Sequence, residues 1–269
     1  MAKIRKTVWF IGGFGNNLFQ LLLVERFYNL GYDVKVVSVL TKKNIITRIL
    51  GWTIFTETVS GLIKKYPDIK FEARLKFSHI KSLVFFLLSK LISSSVHGYL
   101  FFKSYNEVQI RSSNNFIGYF QNEDYLMEYI NEIKQLSDYF NEKYILNKKY
   151  YLVLHFRWGD TDWGRKYEYY YQKARELIKS KNAYTLIVTD DLNKAKSFFS
   201  KINNIQFKRS HNPFDDFLIL LNAETLILAP STFSWWAALL TKQAKKIYAP
   251  KEIIAFLPII TNNKIVNAI

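Results

Sequence analysis

Cysteine is absent from this 269-residue chain. No disulfide framework or thiolate metal site can form, as is typical of proteins from a reducing compartment. The four histidines show neither metal-ligand spacing nor the partners of a Ser-His-Asp hydrolase. The longest apolar run, Ser82–Leu88, is far shorter than the roughly 20 residues that span a bilayer. The run Thr7–Ile11 is too short for a secretion signal. These absences predict a cytoplasmic protein.

Acidic residues are scarce beside basic ones. The chain has 22 Asp and Glu against 38 Lys and Arg, a net charge of +16. Residues 1–100 hold 15 basic and 5 acidic residues, a net charge of +10. Three interpretations are open: a solvated basic face, peripheral binding to the anionic inner face of the membrane, and nucleic-acid binding. Nucleic acid is not expected, because the lysines are scattered and accompany no aromatic-rich single-strand motif.

The N-terminal segment reads as a strand, a turn, a helix and a second strand. The strand Thr7–Ile11 is apolar, and the glycine-rich segment Gly12–Asn17 predicts a turn. A helix is expected over Leu18–Leu30, with Gly31 as a good C-terminal cap, and a strand over Val34–Leu40. This βαβ pattern favours a parallel sheet.

Regular alternation returns after residue 150, following predicted helices at Phe77–Leu91 and 121–147. It predicts a doubly wound sheet. Two such halves imply an α/β protein of two Rossmann-like domains facing a cleft, with domains at 1–148 and 149–269. The predicted strands are Tyr151–Phe156, Ala183–Thr189, Thr225–Ala229 and Lys246–Tyr248, and the helices are Tyr167–Ser180, Leu192–Ser200, Phe214–Asn222 and Phe233–Leu240.

The glycine-rich turn is the first candidate binding motif. Gly12, Gly13 and Gly15 would let the backbone approach a ligand, and the following helix start favours an anion. The pattern is not G-x-G-x-x-G, and no acidic residue follows the second strand to bind a ribose, so a dinucleotide cofactor is not expected. The alternative is a tight βα turn without a ligand.

The segment His155–Asp160 is the second motif, at the end of a predicted strand. Arg157 there suits a pyrophosphate, because its planar guanidinium matches phosphate oxygens and keeps its charge. The alternative is a buried pair with Asp160 that holds the turn. Asp160 and Asp162 form a D-x-D pattern that could hold a divalent metal. No metal is expected, because the preceding arginine could neutralise the same phosphates.

Polar residues also follow two further predicted strands. Asp190 or Asp191 is expected to be a helix N-cap, with ligand binding as the alternative, and Asp215 is also expected to be a cap. Asp216 could accept a hydrogen bond from a base or ribose, and Trp235 and Trp236 are expected in the core. The hydroxyls expected to cap a helix and donate to phosphate are those of Ser231, Thr232 and Ser234.

Taken in order, these motifs resemble the bacterial type of the alpha-1,2-fucosyltransferase family, glycosyltransferase family 11. Two positions depart from the family pattern: Trp158 stands where the family has a second arginine, and Asn17 stands where it has glutamine. The resembling segments are Gly12–Gln20, Gly118–Tyr125, His155–Asp160, Val188–Asp191, Asp216–Trp236 and Tyr248–Lys251.

The resemblance implies a GT-B-like fold, a GDP-fucose donor, inversion at the anomeric carbon and no metal or other cofactor. It further implies transfer to O-2 of galactose in an oligosaccharide acceptor, which could be lipid-linked, in surface polysaccharide (O-antigen or capsule) synthesis. Open alternatives are another GDP-sugar donor and a non-catalytic nucleotide- or nucleic-acid-binding protein.

The same resemblance assigns roles to individual residues. Arg157 would bind the β-phosphate of the donor. Independently of the resemblance, Asp160 and Asp162 are candidate bases by position, and a reaction without a base is the alternative. The remaining assignments are His155 and Asp216 to the guanosine; Ser231, Thr232 and Ser234 to the phosphates; Asp190 and Asp191 to the donor; Asn16, reaching across the cleft, also to the donor; and Tyr119 and Gln121 to the acceptor side.

Overall fold

The computed structural model describes most of the C-terminal half of the chain and separate parts of the N-terminal half. The described residues are 4–10, 12–38, 63, 66–72, 99–101, 114–118, 120, 126, 128–145, 150–159, 163–210, 212–251 and 265–269. The predicted helix Phe77–Leu91 lies outside them. Within the described part, no helix has the length and apolar character needed to cross a bilayer.

The chain divides into two compact units, Met1–Glu132 and Ile133–Ile269. The sequence predicted the division at 148–149 instead. The helix α2 (Ile130–Tyr144) accounts for the difference, because it packs on the C-terminal unit. Ser137 Oγ and Asn141 Nδ2 both donate to the carbonyl of Leu240, at 2.8 and 2.7 Å.

The N-terminal unit is built on a parallel sheet with the order β3-β2-β1-β5-β4. The helix α1 (Phe14–Asn29) follows β1 and is buried along most of its length. It ends as expected, with Gly31 in the left-handed region at φ 78° and two backbone bonds closing the last turn. The strands are β1 (Arg5–Phe10), β2 (Asp33–Ser38), β3 (Lys70–Glu72), β4 (Tyr99–Phe101) and β5 (Asn115–Ile117).

The C-terminal unit has a second parallel sheet, with the order β11-β10-β9-β6-β7-β8. Its strands are β6 (Tyr150–Phe156), β7 (Thr185–Thr189), β8 (Ile205–Lys208), β9 (Ala223–Ile227), β10 (Lys246–Ala249) and β11 (Ile265–Ala268). Its helices after α2 are α3 (Trp163–Lys166), α4 (Glu168–Lys181), α5 (Leu192–Phe198), α6 (Pro213–Leu221) and α7 (Thr232–Leu240).

Apolar side chains fill the layer between this sheet and its helices. The central strand β6 is buried from Leu152 to Phe156, and Tyr171, Ile178 and Phe199 pack against it. Trp235 and Trp236 are 5% and 0% exposed, which confirms their expected place in the core. The predicted α/β class, with a parallel sheet in each half, is confirmed.

Candidate active site

The C-terminal sheet has one topological switch point, between β6 and β9. From β6 the chain moves outward through β7 and β8, and then returns to the other side of β6 to build β9, β10 and β11. Open parallel sheets bind ligands outside the carboxyl ends of the two strands that flank such a point. The residues that follow Phe156 and Ile227 therefore form the candidate site.

Arg157 joins the two sides of this switch point. It follows β6 directly and is half-buried. Its Nη1 donates to Oγ of Ser231 at 2.9 Å, and Ser231 begins the helix that follows β9. A fixed positive charge thus lies beside a helix N-terminus, an arrangement suited to a phosphate group.

The hydroxyls of the Ser231 turn have different tasks. Ser231 is the N-cap of α7 and accepts from the backbone N–H of Phe233 at 3.2 Å, which confirms the expected capping. Ser234 Oγ is fully buried and donates to the carbonyl of Ala229 at 3.0 Å. Thr232 is half-buried in the first turn. Ser231 and Thr232 are therefore nearer to solvent than Ser234 is.

The aspartates that follow β7 hold backbone groups. Asp191 is the N-cap of α5 and accepts from the N–H of Lys194 at 3.0 Å, as one of the two was expected to do. Asp190 accepts from the N–H groups of Trp158 and Gly159, at 2.8 and 3.2 Å. Its carboxylate thus fixes the backbone directly after Arg157.

Asp216 and Asp215 occupy the first turn of α6. The expectation that Asp215 caps this helix is wrong: the N-cap is Asn212, which accepts from the N–H of Phe214 at 3.0 Å, and Asp215 is exposed. Both carboxylate oxygens of Asp216 lie 3.2 Å from the N–H of Ser210. Burial raises the pKa of Asp216 above its ordinary value, and the hydrogen bond from Ser210 opposes this shift.

His155 is the second-to-last residue of β6, and it is 6% exposed. Its ring centroid is 5.3 Å from that of Phe233 on α7. Phe233 in turn contacts Phe217 of α6, with centroids 5.5 Å apart. Aromatic contacts therefore connect His155 with α6, the helix that carries Asp216.

Trp158 is integrated into the packing beside β6. Its ring stacks on Phe156 at 5.3 Å and 17°, and the ammonium group of Lys194 lies 4.4 Å from the ring centroid. A Cβ atom on Gly164 would come within 2.6 Å of the same ring. Trp158 thus lacks the positive charge that the family's second arginine would carry. Lys194 brings a positive charge to the face of the Trp158 ring.

The glycine-rich turn of the N-terminal unit is shorter than predicted. The helix α1 begins at Phe14 rather than Leu18, so Gly15 and Asn16 lie in its first turn. Gly12 has a φ of 80°, a conformation that favours glycine, and Gly13 is the N-cap residue.

Two buried amides fix the start of α1 to the end of β5. Asn17 Nδ2 donates to Gln20 Oε1 at 2.9 Å, and Gln20 Nε2 donates to the carbonyl of Gly118 at 2.8 Å. Since β5 pairs with β1, these bonds hold the switch point of the N-terminal sheet. Gln20 and Asn17 of the first resembling segment are therefore structural residues of this turn.

Several predicted site residues lie outside the described residues. They are Asp160, Asp162, Tyr119 and Gln121. Within the described residues, no group of three or more acidic or histidine side chains could hold a metal ion.

Tyr170 and Tyr171 were not predicted as site residues. Both lie on α4 and bond to the backbone at the switch point. They lie within a helix that the sequence predicted. Adjacent tyrosines on an amphipathic helix are ordinarily core residues, and nothing in the sequence distinguishes this pair from an ordinary core pair.

Solved structures of similar fold are GT-B glycosyltransferases. The heptosyltransferase WaaC of E. coli, with ADP, has a TM-score of 0.52 at 8% identity and covers 98% of this chain and 93% of its own. A family 9 glycosyl transferase of Veillonella parvula has a TM-score of 0.51 at 9% identity. The match covers 100% of this chain and 88% of that protein. The chain thus has the GT-B fold.

The sequence profile of glycosyl transferase family 11 matches residues 104–255, more than half of the chain. The chain belongs to this family, and the resemblance seen in its motifs is confirmed. An alpha-1,2-colitosyltransferase of Escherichia coli is 25% identical over 150 residues, 48% of this chain and 52% of that protein. The match thus spans about half the length of this curated relative.

Proposed function

We propose that this protein is an inverting glycosyltransferase that transfers L-fucose from GDP-fucose to a hydroxyl, O-2 of galactose, of an oligosaccharide in surface polysaccharide synthesis. The observation that carries the proposal is the contact of Arg157 with Ser231. This contact holds a guanidinium at the N-terminus of α7. It lies at the switch point of the C-terminal sheet, in a chain that belongs to family 11. Two phosphates of a nucleotide sugar match this combination of charge and helix dipole.

The backbone N–H groups directly after Arg157 are already hydrogen-bonded within the protein. Those of Trp158 and Gly159 donate to Asp190. The positive potential therefore comes from the Arg157 guanidinium and the amino-terminal turn of α7. Arg157, Ser231 and Thr232 form the proposed phosphate site.

His155, Phe233 and Asp216 are proposed to hold the guanosine. The rings of His155 and Phe233 lie in contact, with centroids 5.3 Å apart, next to the proposed phosphate site. Asp216 remains an acceptor, and guanine is a base with several N–H donors. Asp190 and Asp191, predicted as donor-binding residues, would act by fixing the loops rather than by contacting the donor.

The proposed reaction is a single displacement. The acceptor oxygen bonds to the anomeric carbon from the face opposite GDP, as the bond from that carbon to the β-phosphate oxygen breaks. The hydroxyl proton passes to a base, for which Asp160 and Asp162 are the candidates. Negative charge grows on the departing GDP, and the Arg157 guanidinium stabilises it.

Nucleotide selectivity tests the proposal. GDP should raise the melting temperature, since binding to the folded state alone adds about 2.7 kcal/mol at a hundredfold excess over Kd. UDP, ADP and a single-stranded oligonucleotide serve as controls and should have little effect. An equal shift with UDP would contradict the assignment, and a shift with the oligonucleotide would favour the nucleic-acid alternative.

Product analysis then separates catalysis from binding. Labelled GDP-fucose and a panel of galactose-terminated acceptors should yield a fucosylated product, and activity should survive EDTA because Arg157 supplies the cation. Complete loss with EDTA and rescue by manganese would instead make Asp160 and Asp162 a metal site.

Another GDP-sugar is the second candidate donor. It is favoured by the name of the colitosyltransferase relative and by Trp158, which stands in place of an arginine. A donor panel that includes the GDP derivative of colitose distinguishes the two, because the preferred sugar should give the higher kcat/KM. GDP binding without transfer from any donor would favour a non-catalytic protein.

A further inference from the structure

Two consecutive tyrosines of α4 bond to the two strand ends at the switch point. The hydroxyl of Tyr171 accepts from the N–H of Arg157 at 3.1 Å and donates to the carbonyl of the same residue at 3.3 Å. The hydroxyl of Tyr170 donates to the carbonyl of Leu228 at 2.6 Å. Leu228 directly follows β9, just as Arg157 directly follows β6.

Packing alone does not require these hydroxyls. Tyr170 and Tyr171 are 5% and 0% exposed, and a phenylalanine would fill nearly the same volume without burying an oxygen. A buried hydroxyl lowers stability unless it is hydrogen-bonded, and both phenols are bonded to backbone groups of the switch point. Burial raises the pKa of both phenols, so each keeps its proton and remains a donor at physiological pH.

The three bonds together fix α4 against the ends of both strands. Consecutive helical residues point about 100° apart, so a rotation of the helix would break at least one bond. Asp190 adds a further restraint, since it holds the N–H groups of Trp158 and Gly159. Three consecutive N–H groups, those of residues 157 to 159, are thus held by side chains from other elements.

These restraints act on the two chain segments that carry the groups proposed to bind the donor phosphates. Arg157 is bonded through its backbone to Tyr171, and its guanidinium contacts Ser231 at 2.9 Å. Ser231 lies three positions after Leu228, the residue bonded to Tyr170. The direct pairing of β6 with β9 sets the two strand ends side by side, and the tyrosines add bonds to the residues that follow each strand.

We propose that Tyr170 and Tyr171 are positioning residues, which hold Arg157 and the N-terminus of α7 at the separation required by the leaving diphosphate. The inference rests on the proposed function, in which Arg157 stabilises the charge on GDP. Neither tyrosine touches the substrate in this role.

Removal of one hydroxyl at a time tests the proposal. Tyr171→Phe and Tyr170→Phe should each lower kcat by about tenfold to a hundredfold, the scale expected when a catalytic group is misplaced by about 1 Å. KM for the GDP-sugar should change less. Tyr184→Phe is the matched control: its hydroxyl donates to Gln206 at the exposed surface, and its loss should leave kcat unchanged.

A double-mutant cycle with Arg157→Ala separates positioning from a general loss of stability. If Tyr171 acts through Arg157, Tyr171→Phe should have little further effect on turnover or GDP affinity once the guanidinium is absent. Equal losses with and without Arg157 would overturn the proposal. So would normal kcat in both single variants.

The cycle also distinguishes this proposal from the proposed function. A wild-type chain that neither binds GDP nor transfers a sugar from it would overturn the proposed function, together with the positioning role that rests on it. A wild-type chain that transfers a sugar, with tyrosine variants whose melting temperature falls but whose kcat does not, would overturn the positioning role alone.

Discussion

At the scale of single residues, Arg157 provides the most direct test of the electrostatics. Arg157→Lys keeps a positive charge but loses the planar fork, and Arg157→Ala loses both. Alanine should lower turnover by roughly 100- to 1,000-fold, the scale for removing one preorganised donor, and lysine should recover only part of this loss. Turnover and melting temperature are to be measured on the same preparations.

A surface arginine supplies the control for Arg157. Arg5 pairs with Asp33 at 2.7 Å, and Arg5→Ala should leave turnover unchanged. If Arg157 only holds the turn with Asp160, both Arg157 variants should instead lose folding stability. A double change of that pair to apolar residues should then restore much of it. A well-folded Arg157→Ala enzyme with near-normal turnover would contradict the mechanism.

Asp216 predicts a dependence of stability on pH. Its pKa is raised in the folded state, so the folded chain holds this proton more tightly than the unfolded chain. The free energy of unfolding should therefore fall as pH rises from the ordinary aspartate value, about 3.8, through the folded pKa. Asp216→Asn removes the titration, and its stability relative to wild type should be higher at pH 7 than at pH 3.5.

Urea unfolding at the two pH values measures this difference. Asp215→Asn, on the same turn but exposed, is the control and should not reproduce it. A stability difference between Asp216→Asn and wild type that is the same at both pH values would show that burial of the carboxylate has no energetic consequence.

Gly164 tests the packing of Trp158. Alanine in place of glycine within a helix ordinarily stabilises by about 0.5–1 kcal/mol. Here a Cβ atom would lie 2.6 Å from the Trp158 ring, so Gly164→Ala should instead destabilise by about 1–3 kcal/mol in denaturant unfolding. Gly159→Ala is the control, since its Cβ would have ordinary contacts at 3.5 Å. A stabilised Gly164→Ala chain would contradict the packing.

At the scale of elements, α2 supports the far end of the helix that begins at Ser231. Asn141 donates to the carbonyl of Leu240 at 2.7 Å and accepts from the N–H of Lys242 at 3.0 Å. Asn141→Ala leaves the N–H of Lys242 without this acceptor and leaves the Leu240 carbonyl with the Ser137 hydroxyl alone, so it should lower the free energy of unfolding by about 1–3 kcal/mol. Glu142→Ala, at the exposed neighbouring position, should change stability by less than about 0.5 kcal/mol. Equal effects of the two substitutions would contradict the role of Asn141.

The regular alternation of strand patterns and helix patterns made most elements of the C-terminal unit predictable from the sequence. The strands at 150–156 and 185–189 and the helices at 192–198 and 232–240 lie within a few residues of their predicted bounds. The strands β8 and β11 were missed. Both are short edge strands, and β8 is exposed at every second residue, so neither has the continuous apolar run of the central strands.

Long-range hydrogen bonds explain what local patterns could not reveal. The helix α1 includes Gly15 and Asn16 despite their low helix propensity, because tertiary burial and the bond of Gln20 to Gly118 stabilise its first turns. The position of Asp190 at the end of a strand was predicted correctly. Its partners Trp158 and Gly159 lie about 30 residues away and could not be inferred from spacing.

At the scale of the whole molecule, the two sheets follow the same plan. In each, the first strand lies between the strand that follows it in sequence and one that comes later. The glycine-rich turn and Arg157 come at corresponding points, after the first strand of each sheet. The expectation of two Rossmann-like halves is confirmed in topology, and only the boundary between them was placed differently.

The net charge of +16 predicts an electrostatic interaction with anionic membranes. Each basic residue near the lipid contributes about 1 kcal/mol, and residues 1–100 carry most of the excess. The protein should bind vesicles that contain anionic lipid at 0.1 M salt and dissociate at 1 M, where the Debye length falls from about 10 Å to about 3 Å. Such binding would bring the protein to a membrane surface, where a lipid-linked acceptor would be within reach.

Sedimentation with vesicles measures this interaction, and vesicles of zwitterionic lipid alone are the control. Absence of binding at low salt would leave the basic residues as an ordinary solvated face. Binding that persists unchanged at 1 M salt would exclude an electrostatic origin.

The tyrosine pair of α4 also has a consequence for how related chains can diverge. Because Tyr170 and Tyr171 anchor the helix directly to β6 and β9, its placement does not depend on the length of the segment between Gly159 and Tyr167. Related chains could therefore tolerate changes in this connection that spare Gly164 and the candidate bases Asp160 and Asp162, without shifting Arg157. Relatives that keep both tyrosines would then keep the proposed phosphate site even where this connection differs.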